Sequence, residues 1–194
     1  GVLLIFDEVI TGFGRLGHSF AAQAFGVTPD LMTLAKGLTN GAVPMGAVMV
    51  SGAVYDAFMA GPEQAIELMH GYTYSAHPLA CAAGLATLAV HEELGINAHV
   101  QQVAPLWQRA ALALREQQWV QDVRAIGLLC AVELKSRDRA PGARAGEVAQ
   151  RCFEAGLLVR ASGDNIVLSP PLIISEAQIT LIFDTLQRVL DQVA

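Results

Sequence analysis

Lysine is nearly missing from this 194-residue chain: Lys36 and Lys135 are the only two among its twelve lysine and arginine residues. Positive charge is carried by arginine, so lysine has no general solubility role here. The twelve bases face eighteen acids, the net charge is -6, and no cluster of lysine and arginine stands anywhere in the chain. Nucleic acid and anionic membrane both demand phosphate-neutralising charge, so neither is expected as a partner. Cysteine is scarce too. Cys81, Cys130 and Cys152 are odd in number and lack C-x-x-C spacing, which argues against a disulfide framework or a zinc site and for a reducing compartment. No apolar run reaches the roughly eighteen residues of a membrane span, and no basic-then-apolar leader precedes the first strand. A cytoplasmic protein is expected.

What is present is an apolar, weakly charged body: 53% of residues are hydrophobic and 15% charged, the balance of a globular, enzyme-like protein with small molecules as partners. Gly1 leads at once into Val2-Leu3-Leu4-Ile5-Phe6, a run of the kind buried on both faces of a parallel sheet. Such a strand needs neighbours and covering helices. The chain is therefore expected to be the C-terminal part of a longer protein, and its function that of the parent.

Residues 1–96 alternate short β-branched runs with small-residue helices, the pattern of an α/β layer. Strands are predicted at Val2 to Phe6, Leu31 to Ala35 and Ala47 to Val50, with helices at Phe20 to Phe25 and near Val54 to Met59. Pro78 opens an alanine-rich helix running to about Leu94, where Gly95 ends it. A bridging helix is predicted over 97–118, with Val100, Val103, Leu106, Trp107, Ala110 and Leu114 at helical spacing. From 119 to 194 a small α+β domain is expected. It holds a strand pair around Val123 to Leu134, a polar loop from Ser136 to Arg144, a helix from Glu147 to Ala155, and strands at Leu157 to Arg160 and Ile166 to Leu168. Between the last two, Ser162-Gly163-Asp164-Asn165 suits a hairpin turn. Ser175-Glu176-Ala177-Gln178 reads as a capping box opening a helix to Val193.

Three pieces of this pattern bear on chemistry. Gly12-Phe13-Gly14-Arg15-Leu16-Gly17 fits the dinucleotide fingerprint G-x-G-x-x-G, yet its first glycine comes five residues past the strand end, whereas the pyrophosphate loop needs it in the strand-to-helix turn. Asp30 follows Pro29 in a loop and ends no strand, so nicotinamide binding fits poorly. The run Leu3-Leu4-Ile5-Phe6-Asp7-Glu8 equally resembles the Mg²⁺-holding strand of a P-loop NTPase, whose partner motif G-x-x-x-x-G-K-[ST] is absent from the sequence. An acidic strand end facing solvent is the plain alternative, as is a non-catalytic remnant. The third piece is Lys36, which closes the apolar run Leu31-Met32-Thr33-Leu34-Ala35 and opens the turn Gly37-Leu38-Thr39-Asn40-Gly41. It is either a solvated loop charge or an amine placed so that it can lose its proton, which arginine cannot do. Asp7 and Lys36 together make sense around pyridoxal phosphate. That cofactor takes a lysine amine on its aldehyde and a carboxylate against its pyridine nitrogen.

Phe6-Asp7-Glu8-Val9-Ile10-Thr11-Gly12-Phe13-Gly14-Arg15, Pro29-Asp30 with Thr33-Leu34-Ala35-Lys36-Gly37-Leu38, and Pro44-Met45-Gly46-Ala47-Val48 follow one another in order. Together they resemble the signature of class III pyridoxal-phosphate aminotransferases, over the whole chain. Thr39 to Gly46, His70 to Pro78, and Gly156 to Arg160 through Ser169 to Leu172 most resemble the omega-amino acid (beta-alanine):pyruvate aminotransferases. The resemblance implies an α/β protein of fold type I, comprising the C-terminal part of the large domain plus an α+β small domain. It implies an amino-group transfer between a small amine or omega-amino acid and a keto acid such as pyruvate, in ping-pong fashion. Aminotransferases of 4-aminobutyrate or ornithine and aminomutases share the signature and remain alternatives, and the P-loop NTPase fragment remains the reading outside this chemistry.

By the same resemblance Lys36 would bond the cofactor aldehyde, Asp7 would pair with the pyridine nitrogen, and Val9 would pack on the ring. Thr73 would bind the cofactor phosphate of a neighbouring subunit, with Tyr72 beside it near the substrate, so a homodimer or dimer of dimers with shared sites is implied. Arg160 would fork the substrate carboxylate and swing aside beside a mobile hairpin when that group is absent. Taken singly, Thr73 reads as a turn hydroxyl, Tyr72 as a packing aromatic and Arg160 as a surface ion pair. His70 and His77 read as structural, with no carboxylate or cysteine at metal-ligand spacing. The family's phosphate loop and ring-stacking aromatic have no counterpart in these residues, so the chain alone is expected to bind the cofactor weakly and to be inactive.

Overall fold

The computed structural model describes residues 1–64 and 68–193. They group into two compact units, one of Gly1–Gly14 with His18–Gly95 and one of Arg15–Gly17 with Ile96 onward.

In the first unit β1 (Ile5–Asp7) runs parallel to β2 (Leu31–Leu34), and β3 (Ala47–Val50) lies antiparallel on the other side of β2. Helices α1 (Ala21–Phe25), α2 (Gly52–Phe58) and α3 (Pro78–Glu93) complete it. The first strand is shorter than the apolar run predicted. The Leu4 N–H is taken by the Asp30 carboxylate at 2.8 Å, while the Leu4 carbonyl accepts the N–H groups of Asp30 and Leu31, so the ladder begins only at Ile5. β1 is an edge strand, and Ile5 is 59% exposed. Pro78 sits in the first turn of α3, as its missing N–H allows.

The second unit is an antiparallel sheet of order β4-β5-β7-β6, built from β4 (Val120–Ile126), β5 (Leu129–Leu134), β6 (Arg160–Ser162) and β7 (Asn165–Leu168), with α4 (Ile96–Ala113), α5 (Ala143–Glu154) and α6 (Glu176–Leu190). On β5, Cys130, Val132 and Leu134 alternate into the core. The helix predicted as a bridge contributes Val100, Val103, Trp107, Ala111 and Leu114 to this same core. The Trp107 ring meets Phe183 edge-on at 4.9 Å, and its indole N–H donates to the Leu129 carbonyl.

Three boundaries differ from expectation, each for a tertiary reason. Helix α5 starts at Ala143 inside the predicted polar loop, because Asp164 holds the Gly142 N–H at 2.7 Å while Arg144 stacks over Trp119 and donates to the Lys135 carbonyl. Arg160 opens β6 where the reading had it close a strand. The two-residue turn Gly163-Asp164 pairs Ser162 with Asn165 and Arg160 with Val167, and Ser169-Pro170-Pro171 follows β7, so the register carries Leu157 and Leu158 opposite Pro170 and Ser169, past the end of the ladder. Finally, Arg15–Gly17 packs with the second unit: the Leu128 N–H donates to the Arg15 carbonyl, Arg15 donates to Pro170, and Gln101 to Gly17. Gly127, at φ +53°, is the price of that approach, since a Cβ there would meet the Arg15 carbonyl oxygen at 2.4 Å. The glycine-rich run that imitates a dinucleotide loop is a packing device.

Candidate active site

Because β1 and β2 are parallel neighbours, their C-terminal ends reach the same edge of the sheet. Asp7 is the last residue of β1 and stands opposite Thr33, three residues before Lys36. Asp7 and Lys36 thus stand at the C-terminal ends of adjacent strands, one closing β1 and the other opening the turn after β2, on strands about 4.8 Å apart.

Asp7 is held on one oxygen. Its Oδ1 accepts the Val9 N–H at 3.1 Å and the Thr33 hydroxyl at 3.0 Å, and among the described residues Oδ2 takes no protein hydrogen bond. Val9, half-buried, has its N–H committed to this contact. Glu8, the second acid of the pair, has a different task. It is 1% exposed, with Oε1 accepting the Ala22 N–H and Oε2 accepting the Ala21 N–H and the Thr11 hydroxyl. A carboxylate removed from water needs such donors. In exchange it clamps the end of β1 to the start of α1.

Lys36 occupies the left-handed region at φ +43°, an uncommon conformation for a residue with a side chain and one that concentrates at functional sites. The turn around it is closed from both directions. The Leu38 N–H donates to the Ala35 carbonyl, and the Thr39 and Gly41 N–H groups donate to the Lys36 carbonyl. Beneath the turn lies Phe13, 6% exposed and itself at φ +59°, with its N–H on the Ser19 carbonyl. Gly37 rests directly on it: a Cβ at Gly37 would stand 2.7 Å from the Phe13 Cβ. The position of Lys36 is therefore set by a glycine pressed onto a buried aromatic.

The remaining predicted residues share no hydrogen bond with this pair among the described residues. Tyr72 and Thr73 lie in an exposed stretch before α3. Tyr72, at φ +49°, donates its N–H to His70 Nδ1 at 3.0 Å, and the two rings stack tilted at 4.1 Å. His70 is thus structural here, while no hydrogen bond links Tyr72 or Thr73 to Asp7 or Lys36 among the described residues. Arg160 belongs to the second unit, exposed at the start of an edge strand. No carboxylate pairs with it among the described residues, so the ion-pair reading lacks a partner. Its hairpin is tethered, with Asp164 holding the Gly142 N–H through Oδ1 and the Leu134 N–H through its carbonyl.

The supporting roles of Thr33, Glu8 and Phe13 escaped the sequence reading, although all three stand in its motifs. Thr33 had a signal, as the one hydroxyl in an otherwise apolar strand. Phe13 stands as an apolar residue between two glycines, which reads as a loop until the turn it supports is known.

The arrangement fits a cofactor that needs a fixed negative charge and an amine at one sheet edge. The profile of the class-III aminotransferases matches residues 1–190. An omega-aminotransferase of Caulobacter vibrioides is 57% identical over 99% of this chain, and a beta-alanine–pyruvate aminotransferase of Pseudomonas aeruginosa is 44% identical over all of it. The chain spans 44% of the length of each. Among solved structures, an amine transaminase from an uncultivated Pseudomonas species, in its PLP-bound internal-aldimine form, aligns over the whole chain at a TM-score of 0.90 and 37% identity, with 45% of its own length covered. The fold is α/β, of the type I class of pyridoxal phosphate enzymes, and pyridoxal phosphate is the cofactor. From a signature that runs through residues 1–190 and a backbone that follows a PLP-bound transaminase along its length, the chain belongs to the class-III aminotransferase family.

Proposed function

We propose that this chain is the C-terminal part of a transaminase that moves an amino group from an omega-amino acid or amine, such as beta-alanine, to pyruvate. The observation that carries it is the juxtaposition of Asp7 and Lys36 at the ends of parallel β1 and β2, with one Asp7 oxygen held by Thr33 and Val9. The choice of donor and acceptor leans on the names of the relatives at 57% and 44% identity.

When bound, pyridoxal phosphate supplies an aldehyde that accepts amines and a ring that withdraws electrons from the adjoining carbon. The chain supplies the rest. Lys36 Nζ would hold the cofactor by its aldehyde and give up that bond to the incoming amine; as general base it would then move the proton from the donor carbon to the former aldehyde carbon, work typically worth about 10²- to 10⁴-fold. Asp7 keeps negative charge against the ring nitrogen so that its proton stays there. Arg160, with five N–H donors in a planar fork, binds the carboxylate of beta-alanine or pyruvate. Thr73 serves the phosphate of a neighbouring subunit, so the working form is a homodimer or dimer of dimers. Three cysteines without C-x-x-C spacing support a cytoplasmic setting.

The test uses a protein of the relatives' full length, loaded with pyridoxal phosphate, reduced with borohydride and digested for mass spectrometry. The expected result is the cofactor on the Lys36 peptide, together with alanine formation from beta-alanine and pyruvate. Attachment at Lys135, or none, sinks the assignment, and attachment without alanine formation sinks the choice of substrates.

A further inference from the structure

The Asp7 carboxylate is held from its own chain by Val9 and from the neighbouring strand by Thr33, a residue of the signature segment to which the resemblance assigns no role. We infer that Thr33 is a positioning residue for Asp7: its hydroxyl donates to Oδ1 at 3.0 Å and presets the carboxylate so that Oδ2 faces the ring nitrogen of the cofactor. This deepens the proposed transaminase site and rests on that reading.

The geometry carries it in three steps. Asp7 and Thr33 are register partners across the parallel β1–β2 pair, and partnered residues project from the same face of a sheet. The two side chains meet because of register, not by reach. Next, threonine is β-branched and stiff about χ1 in a strand, so its hydroxyl is a fixed point. A flexible serine or asparagine on a loop would follow the carboxylate rather than direct it. Last, the Val9 N–H reaches the same oxygen from two residues downstream, at 3.1 Å, an Asx-type contact an aspartate makes with its own backbone. One donor is a hinge about which the carboxylate turns. Two donors on Oδ1 from different directions fix its plane and leave Oδ2 as the oxygen without a protein partner among the described residues. Glu8 holds the backbone between them, its own N–H on the Thr33 carbonyl at 3.0 Å and its carboxylate on the Ala21 and Ala22 N–H groups. Asp7 cannot drift along the strand, and only its side-chain rotation needs Thr33.

The experiment compares Thr33→Val, which keeps the shape and removes the donor, with Thr33→Ser, which keeps the donor, in the full-length cofactor-loaded protein. Three quantities are read: the pH midpoint of the bound cofactor's absorbance change, the single-turnover rate with an amine donor, and melting temperature. Thr33→Val is expected to move the absorbance midpoint by about half a pH unit or more and to slow the single turnover about ten- to a hundredfold, with little change in apparent donor affinity. Thr33→Ser is expected to stay within about threefold of the parent rate and to keep its midpoint. A purely structural role would lower melting temperature while leaving the midpoint in place, and that result overturns the inference. So does equal impairment of the valine and serine variants. Should Thr33→Val not fold, Thr33→Ala is judged on the same readouts. A parent protein with no cofactor on Lys36 brings down the transaminase reading and this inference with it, whereas normal attachment with an unaltered valine variant brings down the inference alone.

Discussion

Replacing Gly37 by alanine places a methyl group 2.7 Å from the Phe13 Cβ, 3.1 Å from its Cδ2 and 3.2 Å from its Cγ. Ordinary contact begins at 3.4 Å, so something must yield by roughly 0.7 Å. Phe13 cannot retreat easily: it is 6% exposed, its N–H is bound to Ser19, and its ring meets Phe20 edge-on at 5.5 Å. The Lys36 turn must therefore move. Two energies compete. Gly37 does not use the left-handed region, so alanine there gains about 0.4–1 kcal/mol by restricting the unfolded chain. Overpacking costs about 1–3 kcal/mol, which wins. A displacement approaching 1 Å in a catalytic group can cost about a hundredfold in rate. In the full-length protein Gly37→Ala is thus expected to reduce kcat with beta-alanine and pyruvate by tens to about a hundredfold, and stability by only about 1–2 kcal/mol. Steady-state kinetics and thermal melting measure the two effects separately. Because the nearest atom is the Phe13 Cβ, relief requires Phe13→Gly and not Phe13→Ala. A double-mutant cycle between Gly37→Ala and Phe13→Gly should show coupling of about 0.5–3 kcal/mol. A Gly37→Ala enzyme with the parental kcat would refute the idea that Phe13 sets the position of Lys36.

Arg160→Ala should lower kcat/KM for beta-alanine and pyruvate about ten- to a hundredfold while sparing the half-reaction with an uncharged arylalkylamine, since only the former lose a charge-assisted bond of about 1.5–3 kcal/mol. Equal losses for both donors would mark Arg160 as structural. Burial pushes the Cys130 thiol up to about 12 and the Cys152 thiol up to about 11. A raised pKa keeps the reactive thiolate scarce below it, so both thiols should resist alkylation at about pH 8 in native protein and label once guanidinium unfolds it. Labelling of either before the unfolding transition, read by mass spectrometry, would contradict the packing of the second unit.

Much of the fold was legible in the sequence where the signal was local. Pro78 opens α3 and Gly95 follows its end, the Ser175–Gln178 capping box opens α6 with both reciprocal bonds, and Gly163-Asp164 turns β6 into β7. The pairing of residue types at Asp7 and Lys36 was legible too, because a scarce lysine and an acid at strand ends are rare enough to stand out. Boundaries were less legible. Leu157 and Leu158 look as strand-like as any run in the chain, and only the register set by the turn carries them past the end of β7. Ser136 to Arg144 read as a polar loop, and only contacts from Asp164 and Trp119 carry α5 back to Ala143.

The sequence by itself determined most elements and the family and singled out Asp7 and Lys36 at two strand ends, since propensity, capping and motif spacing are properties of neighbours along the chain. Tertiary structure decided how those residues are held. Thr33 reaches Asp7 across 26 positions, Glu8 finds its donors 13 and 14 residues away, and Gly37 meets Phe13 through a gap too small for a methyl group. A hydrogen bond or a close contact is decided by ångströms, and those distances exist only once strand register and turn geometry have brought remote residues together.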